Sequence, residues 1–212
     1  MGVAMSAQPP QTTPQKRRNQ AERSAATREA LLDATLECLV QDGYANTTTA
    51  RVAERAGVSR GAHLHHFQTR DALLAAAADH LTAKRGAAIS AAADALPDGP
   101  DRVARGLDLL WKSYANPLYR ATLDLWNQGR TDEELRSHLV PIERRLDRQT
   151  AELAQRLFPD AAQRPDFEHL IELALATVRG LVVLDTLHPD GARAAKQWIS
   201  CRAQLVRLFE ER

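Results

Sequence analysis

The stretch AGVSRGAHLHHF, residues 56–67, groups side chains that are able to do chemistry. It holds three of the chain's seven histidines, at positions 63, 65 and 66, and Arg60 stands shortly before them. Closely spaced imidazole groups can bind a metal ion, transfer protons or donate hydrogen bonds to phosphates. Which of these roles applies depends on the residues around them.

A metal site and an active site both fit this stretch poorly. On a helix, His63 and His66 would share a face and His65 would not, and no HExxH pattern or nearby cysteine completes a zinc site. The chain also has no nucleophile elbow, no Gly-rich phosphate loop and no H-x-E motif with C-x-x-C. We therefore predict that the protein binds no metal and no cofactor, has no catalytic residues and is not an enzyme.

The elements around the histidines have the pattern of a helix-turn-helix. One threonine of residues 47–49 is expected to cap a short helix that turns Val52 toward the core. Gly57 ends that helix, Val58 fills the turn, and Ser59 is placed to cap the next helix. Two helices joined by a short turn that contains glycine are typical of DNA-binding proteins.

The helix after Ser59 suits insertion into the DNA major groove. Gly61 and Ala62 keep its tip slim, and Phe67 can anchor it to the core. Arg60 offers a guanidinium group for guanine O6 and N7 or for a phosphate. Three further side chains can donate hydrogen bonds to backbone phosphates: His65, His66 and Arg70. The alternative interpretation is that the histidines are ordinary surface residues at the end of a helix.

The remaining chain is predicted to be helical throughout, because no segment shows the alternation of a strand. An apolar stripe predicts a helix from Ser24 that ends at Gly43, and an alanine-rich helix is predicted from near Thr69 to Arg85. The sequence LPDGPD, residues 96–101, breaks the helical pattern. Five more helices are predicted after it, at residues 103–114, 118–128, 132–157, 167–187 and 192–211.

We predict four parts along the chain. Residues 1–22 form a disordered basic arm, residues 23–70 form the helix-turn-helix domain, residues 71–85 form a connecting helix, and residues 86–212 form a ligand-binding and dimerisation domain. Up to position 28 the chain has five cations and one carboxylate, a net charge of +4: Lys16, Arg17, Arg18, Arg23 and Arg28 against Glu22. Such a segment is either an arm for a polyanion or a solubilising tail.

Composition narrows the remaining possibilities. The 212 residues carry a net charge of only +1, so the chain as a whole is not polybasic. Cys38 and Cys201 fit no CxxC or CxxH spacing, which indicates neither a disulfide scaffold nor a structural zinc. No apolar run reaches the roughly 18 residues of a membrane span, and the polar first twenty residues are unlike a secretory signal. We predict a cytoplasmic protein.

Taken together, these motifs closely resemble those of the tetracycline-repressor (TetR) family of transcriptional regulators over residues 24–74. The resemblance rests on the following segments: Gly43-Tyr44, the threonines at 47–49, Val52-Ala53, AGVSRG, HHF at 65–67 and RDALL at 70–74. It implies a three-helix DNA-binding domain, a linking fourth helix, and a larger helical domain that dimerises and binds a small effector.

The resemblance also implies roles for single residues. Thr48 or Thr49 is expected to bind a phosphate, and His65, His66 and Arg70 are expected to contact the DNA backbone. The base-reading part of the motif falls on Arg60, Gly61 and Ala62. Many members have Leu-Tyr where this chain has His63-Leu64, so the usual tyrosine–phosphate contact is in doubt. Leu64 either contacts a thymine methyl group or packs.

The second half of the chain predicts a dimer. Residues 168–184 are apolar on nearly all sides, and such a helix must be buried on several sides. With residues 192–211 and their symmetry mates it would form a four-helix interface in a homodimer; the alternative is a central core helix in a monomer. Trp111, Tyr114 and Trp126 at helical spacing indicate core rather than pocket, so no effector-binding residue is identified.

We therefore expect a ligand-responsive transcriptional regulator, a repressor that binds a palindromic double-stranded DNA operator as a dimer and is released by a small-molecule effector. Two alternatives stay open: a constitutive DNA-binding protein without an effector, and an enzyme that uses the helical domain. The large second domain weighs against the first, and the lack of paired catalytic groups weighs against the second.

Overall fold

The computed structural model describes residues 14–186, 188 and 192–211, and every regular element in that part of the chain is helical. This confirms the all-α prediction. The helices are α1 (Pro14–Asn46), α2 (Thr49–Arg55), α3 (Arg60–His66), α4 (Arg70–Asp94), α5 (Arg102–Tyr114), α6 (Pro117–Gly129), α7 (Glu133–Leu157), α8 (Phe167–Leu184) and α9 (Ala192–Glu210), with a 3₁₀ turn at Ala161–Gln163 before α8.

The start of α1 corrects the predicted arm. Helix α1 begins at Pro14, so the prediction of disorder is wrong for residues 14–22, and residues 1–13 lie outside the described residues. The basic charge of the segment pointed to disorder, whereas its residue types are good helix formers: PQKRRNQAER has no glycine and no proline after the first position. Proline itself is well placed in the first turn of a helix.

Local signals fix the ends of the next helices where the sequence predicted them. The regular part of α1 ends at Gly43, whose φ of +75° is a conformation that favours glycine. Thr48 and Ser59 cap α2 and α3, because their side chains accept hydrogen bonds from the backbone N–H groups of Arg51 and Ala62. These bonds satisfy donors that a helix start leaves without a partner.

Two helix ends differ from the prediction. Thr69 caps α4 as expected, but the helix continues to Asp94 rather than ending near Arg85, because GAAISAAAD is still rich in alanine. The break at LPDGPD is confirmed, since α5 begins at Arg102. Helix α8 ends at Leu184, short of residue 187, and Asp185 follows as its C-cap.

Three apolar clusters hold the helices together. One joins α1, α2, α3 and the start of α4 and includes Leu31, Val52 and Phe67. A second lies within the helices from α5 onward and includes Leu107, Val178 and Phe209, together with the end of α4. The third lies between them and contains residues of α1, α4, α6 and α7: Leu39, Leu74, Ala75, Ala78, Ala121, Leu125, Leu135, Leu139 and Ile142. We call this third group the bridging cluster, because it joins the two ends of the molecule.

Candidate DNA-binding surface and ligand cavity

Helix α3 has one face in the core and one face in solvent. His63 and Phe67 point inward and are 2% and 6% exposed. Arg60, Gly61, Leu64 and His65 are exposed on the opposite side. Residues four apart lie on the same side of a helix, so His63 and Phe67 share the inner side, while Arg60 and Leu64 share the outer side. Phe67 therefore anchors α3 as predicted and leaves the other face free.

The exposed face offers the side chains that base reading requires. Within the described part of the chain, the Arg60 side chain takes part in no hydrogen bond or ion pair, so its guanidinium donors are available. No atom lies within 4 Å of the position that a Cβ on Gly61 would take, so the surface there is slim and open. Ala62 is half-buried beside it. The assignment of these residues to base contacts stays a prediction.

Leu64 is 52% exposed, so it does not belong to the core. An exposed leucine on the solvent face of α3 is available for the methyl group of thymine. That contact stays a prediction.

The threonines at 47–49 have three different environments. Thr47 is buried, and its hydroxyl donates to the carbonyl oxygen of Gly43 at 2.8 Å. The Thr48 hydroxyl is exposed and accepts from the Arg51 N–H at 3.3 Å, which leaves its own hydrogen free to donate to a phosphate. Thr49 is half-buried at the first position of α2. Thr48 is therefore the better placed of the two predicted phosphate ligands.

The three histidines do not form one site. His65 is exposed, His66 is half-buried with its ring edge-on to that of His65 at 5.4 Å, and His63 lies in the core. Burial lowers the pKa of the His63 imidazole, and burial together with the charges of His65 and Arg28 lowers the pKa of His66. Both shifts favour the neutral imidazole near pH 7 in the free protein, and a neutral imidazole can still donate one hydrogen bond.

A different group of metal-ligating side chains does come together between α1 and α4. Glu29, Asp33 and His80 have ligand atoms within 4.8 Å of one another. The Lys84 ammonium occupies the same carboxylate, however, and donates to Asp33 at 2.9 Å while His80 approaches it at 3.0 Å. Partial burial would raise the pKa of Asp33, but the hydrogen bonds from Lys84 and His80 hold it below its usual value. The group is an ion-pair network that joins α1 to α4.

Arg70 has a structural environment that the sequence did not reveal. Its Nε donates to the carbonyl oxygen of Thr47 at 2.8 Å, and its Nη2 donates to the carbonyl oxygen of Tyr44. The guanidinium also lies over the Tyr44 ring, 4.3 Å from the centroid. Arg70 thus fixes the first turn of α4 to the junction of α1 and α2. Its predicted phosphate contact stays a prediction and would have to use the remaining donors.

A cavity of about 230 Å³ lies between α4, α6, α7 and α8. Apolar side chains form much of its wall, including Leu81, Leu123 and Trp126, and two guanidinium groups line it, those of Arg85 and Arg179. Cavities of about 370 and 660 Å³ adjoin it, and they share Arg85 and Arg179 with it, respectively. No sequence signal pointed to this site, because its walls come from four helices that are distant in the chain.

Of the three aromatic residues singled out in the sequence of α5 and α6, two pack in or against the core and one lines the cavity. Tyr114 is 3% exposed and belongs to the core, and the half-buried Trp111 packs against the core by stacking on Trp198 with ring centroids 5.2 Å apart. Trp126 instead lines the cavity while it packs against the bridging cluster.

Helices α8 and α9 carry an exposed apolar patch. Four large apolar side chains are 46–70% exposed there: Leu173, Val183, Leu184 and Ile199. The opposite side of α8 is buried in its own chain, as the sequence predicted for a helix that is apolar all round. Leu181 and Leu205 belong to this inner side, being only 7% and 3% exposed. No helix in the described residues is long and apolar enough to cross a membrane.

The helix-turn-helix with its free outer face on α3, carried by a larger helical body, defines a class of protein, the helical DNA-binding regulators of transcription. Residues 31–77 match the model of the bacterial regulatory proteins of the tetR family. The HTH-type transcriptional regulator CymR of Pseudomonas putida is 32% identical over 182 residues, which cover 84% of this chain and 88% of CymR. The chain belongs to the TetR family.

Solved structures share the fold over most of their length. A TetR transcription regulator from Haloarcula marismortui has a TM-score of 0.72 at 21% identity, covering 87% of this chain and 98% of that one. The regulator FadR from Bacillus subtilis, solved in complex with stearoyl-CoA, has a TM-score of 0.63 at 13% identity, covering 86% of this chain and 97% of that one. The all-α architecture with an N-terminal helix-turn-helix is therefore that of known regulators.

Proposed function

We propose that the protein is a ligand-responsive repressor that binds a palindromic operator as a homodimer and releases it when a small molecule occupies the cavity between α4, α6, α7 and α8. DNA contacts come from the outer face of α3 and from Thr48, with Thr49, His66 and Arg70 as further phosphate contacts. The protein acts in the cytoplasm and performs no catalysis.

The position of Trp126 is the observation that carries this proposal. One part of its side chain lines the cavity, and another packs against the bridging cluster, which contains Leu39 of α1 and Leu74 of α4. Helix α1 belongs to the DNA-binding end, and α4 connects that end to the rest of the molecule. A ligand that displaces α6 therefore disturbs the packing that sets the orientation of α3.

Helix α4 connects the cavity to the DNA-binding end of the molecule. This helix of 25 residues begins at Arg70, which is bound to the backbone of Thr47 and Tyr44, and it passes the cavity at Leu81 and Arg85. Two recognition helices that read successive major grooves must sit about 34–36 Å apart. A small tilt of α4 in each protomer changes that spacing, so a ligand with higher affinity for the tilted state lowers operator affinity.

Dimerisation is proposed through the patch on α8 and α9. Four exposed apolar side chains on two adjacent helices are a surface that water solvates poorly, and a second copy would cover it. Two-fold symmetry would also match the protein to a palindromic site, since one short recognition helix reads few base pairs. The FadR structure with stearoyl-CoA supports the ligand part of the proposal, because a protein of the same fold holds a small molecule.

A constitutive DNA-binding protein is the second candidate. It would have the same α3 surface but no functional use for the cavities around Arg85 and Arg179. An enzyme is the weakest candidate, because the family and its related proteins are transcriptional regulators.

The DNA half of the proposal is tested by selecting bound duplexes from a random pool with the purified full chain. We expect a palindrome whose half-sites are one helical turn apart, bound by two protomers. Recovery of a non-palindromic site bound by one protomer would contradict the dimeric mode. Release by a ligand is tested separately, by titrating a cavity-binding compound into the protein with and without operator.

A further inference from the structure

Two cationic side chains lie against the same aromatic ring beside the cavity. The guanidinium carbons of Arg85 on α4 and Arg179 on α8 are 4.6 and 5.6 Å from the centroid of the Tyr114 ring. Arg85 also lies 5.5 Å from the centroid of Tyr119. Because both groups approach the Tyr114 ring, their guanidinium carbons are at most about 10 Å apart. Like charges this close repel each other.

Neither cation forms an ion pair with a carboxylate of the described chain, although Asp147 attracts Arg179 over a longer distance. Arg85 has no ion pair or hydrogen bond there, and the polar contact of Arg179 is with the Tyr114 hydroxyl at 3.5 Å. Both side chains are half-buried, so water solvates them only partly. A partly desolvated cation whose charge is not fully compensated costs free energy that a bound anion would recover.

The rest of the cavity suits a flat apolar body. Leu81, Leu123 and Trp126 line it beside the two arginines, and the aromatic ring of Tyr119 forms another part of the wall. Burial raises the pKa of the Tyr119 phenol, so its hydroxyl stays protonated and can donate a hydrogen bond. The volume of about 230 Å³ holds a molecule of one or two rings, and a longer ligand would extend into the adjoining cavities of about 370 and 660 Å³.

Two carboxylates also line the cavity, and they point to a competing ligand. Glu143 and Asp147 lie one turn apart on α7, and both residues are exposed. Their charges are therefore solvated and do not need a ligand cation. The half-buried arginines are less solvated, and although Asp147 attracts Arg179 over a longer distance, Arg85 has no ion-pair partner in the described chain. This difference in exposure favours an anion over a cation.

We propose that the cavity binds a small organic acid, with the carboxylate held by Arg85 and Arg179 and a flat apolar body placed against Leu81, Leu123 and Trp126. The claim that such an acid is the effector rests on the proposed ligand-responsive function. The claim that the acid binds here rests on the cavity alone. Because Arg85 belongs to α4, a carboxylate that bridges it to Arg179 of α8 would also draw the connecting helix toward the body of the molecule.

The test uses probes that differ only in charge. Calorimetric titration of the full chain without DNA would compare benzoate and 2-naphthoate with their primary amides and with the corresponding arylmethylammonium ions. We expect at least one carboxylate to bind with affinity roughly 10- to 100-fold above its amide, since hydrogen bonds to an ion are about twice as strong as neutral ones. Equal or tighter binding of the amide or the ammonium ion, or no binding of either carboxylate, would overturn the proposal.

Variants then assign the binding to the two arginines. Arg85→Gln and Arg179→Gln should each lose about tenfold or more of the carboxylate affinity, while the amide is bound as before. Arg85→Lys should keep part of the affinity, because the charge remains without the planar fork. Arg144→Gln is the matched control, since this exposed arginine of α7 does not line the cavity. Unchanged carboxylate affinity in both glutamine variants would contradict the assignment.

Failure of this inference can be told apart from failure of the proposed function. A carboxylate that binds through Arg85 and Arg179 but leaves operator affinity unchanged would confirm the acid site and contradict effector control. An uncharged or cationic compound that releases the operator while the carboxylates do not bind would contradict the acid site and leave the repressor function standing.

Discussion

Single residues decide which side of α3 is free to contact DNA. Arg60 and Leu64 are exposed on the outer face, whereas His63 and Phe67 are buried against α1 and α2. The sequence predicted correctly that Phe67 anchors the helix, because a large apolar residue at the end of a short amphipathic helix is expected to face the core. Arg60 is exposed, as a base contact requires, but the contact itself stays a prediction. The sequence assigned His65 and His66 to the DNA backbone and gave His63 no role, but it did not predict that His63 is buried, because burial depends on how α3 packs.

Replacing Arg60 by alanine should cost about 1–3 kcal/mol of operator binding and relax the base preference at one position per half-site. The physical reason is that its guanidinium has no partner in the described chain and is free to form a paired contact with guanine. Binding to a panel of single-base operator variants would measure the preference, with Arg144→Ala as a control. An unchanged preference would show that Arg60 contacts only the backbone.

Protonation of His63 should destabilise the fold in mildly acidic solution. Burial lowers the folded-state pKa of His63 below 6.5, so the unfolded chain takes up a proton first as the pH falls. The stabilisation is therefore present above about pH 6.5 and is lost as the pH falls toward the folded-state pKa. His66 shifts in the same direction and adds to the effect.

The measurement is the free energy of unfolding in urea at pH 7.5 and at pH 5.5 for the unmodified chain and for His63→Leu. The substitution should reduce the loss of stability between the two pH values, whereas the exposed His65→Asn should leave it nearly as large. An equal loss in His63→Leu and in the unmodified chain would contradict a buried, neutral His63.

At the scale of elements, the ends that depend on local chemistry could be predicted from the sequence. Thr48, Ser59 and Thr69 cap helices because each bonds a backbone N–H group three residues later, which is a short-range pattern. The bonds of Arg70 to the carbonyl groups of Tyr44 and Thr47 span more than twenty residues, and no local pattern reveals them. The cavity escaped prediction for the same reason.

Arg70→Ala should lower the melting temperature and weaken binding to all DNA sequences alike, because it releases α4 from the α1–α2 junction. If Arg70 also binds a phosphate, the dependence of log affinity on log salt should flatten by about one unit. Thermal unfolding and binding at several salt concentrations measure the two effects separately. An unchanged melting temperature would contradict the structural role, and an unchanged slope would contradict the phosphate contact.

At the scale of the whole molecule, the patch on α8 and α9 should hold two copies together. The sequence predicted both helices as interface elements but could not tell their inner side from their outer side. Leu181 and Leu205 face the protomer's own core, whereas Ile199 is 70% exposed and Leu184 is 57% exposed. The helical periodicity and the composition of the sequence do not distinguish the inner from the outer side of a helix when both sides are apolar.

Ile199→Glu should therefore produce folded monomers, because a charge would be buried in the interface of two copies. Leu205→Glu should instead unfold the chain, since its side chain is in the protomer core. Sedimentation at micromolar concentration reports the size, and circular dichroism reports the fold. Val40→Glu on α1, an apolar position that is 40% exposed and lies outside the patch, is the control and should remain dimeric. A dimer of unchanged stability with Ile199→Glu would place the interface elsewhere.

The central claim is that occupancy of the cavity and binding of the operator oppose each other. It is tested most directly by taking a compound that raises the melting temperature and titrating it into the protein with and without operator. A coupling of about 1–3 kcal/mol predicts that operator lowers the affinity of the protein for the compound by roughly 5- to 150-fold. The compound should lower the affinity for the operator by the same factor. Equal affinity for the compound in both titrations would contradict the account, however tightly the cavity binds it.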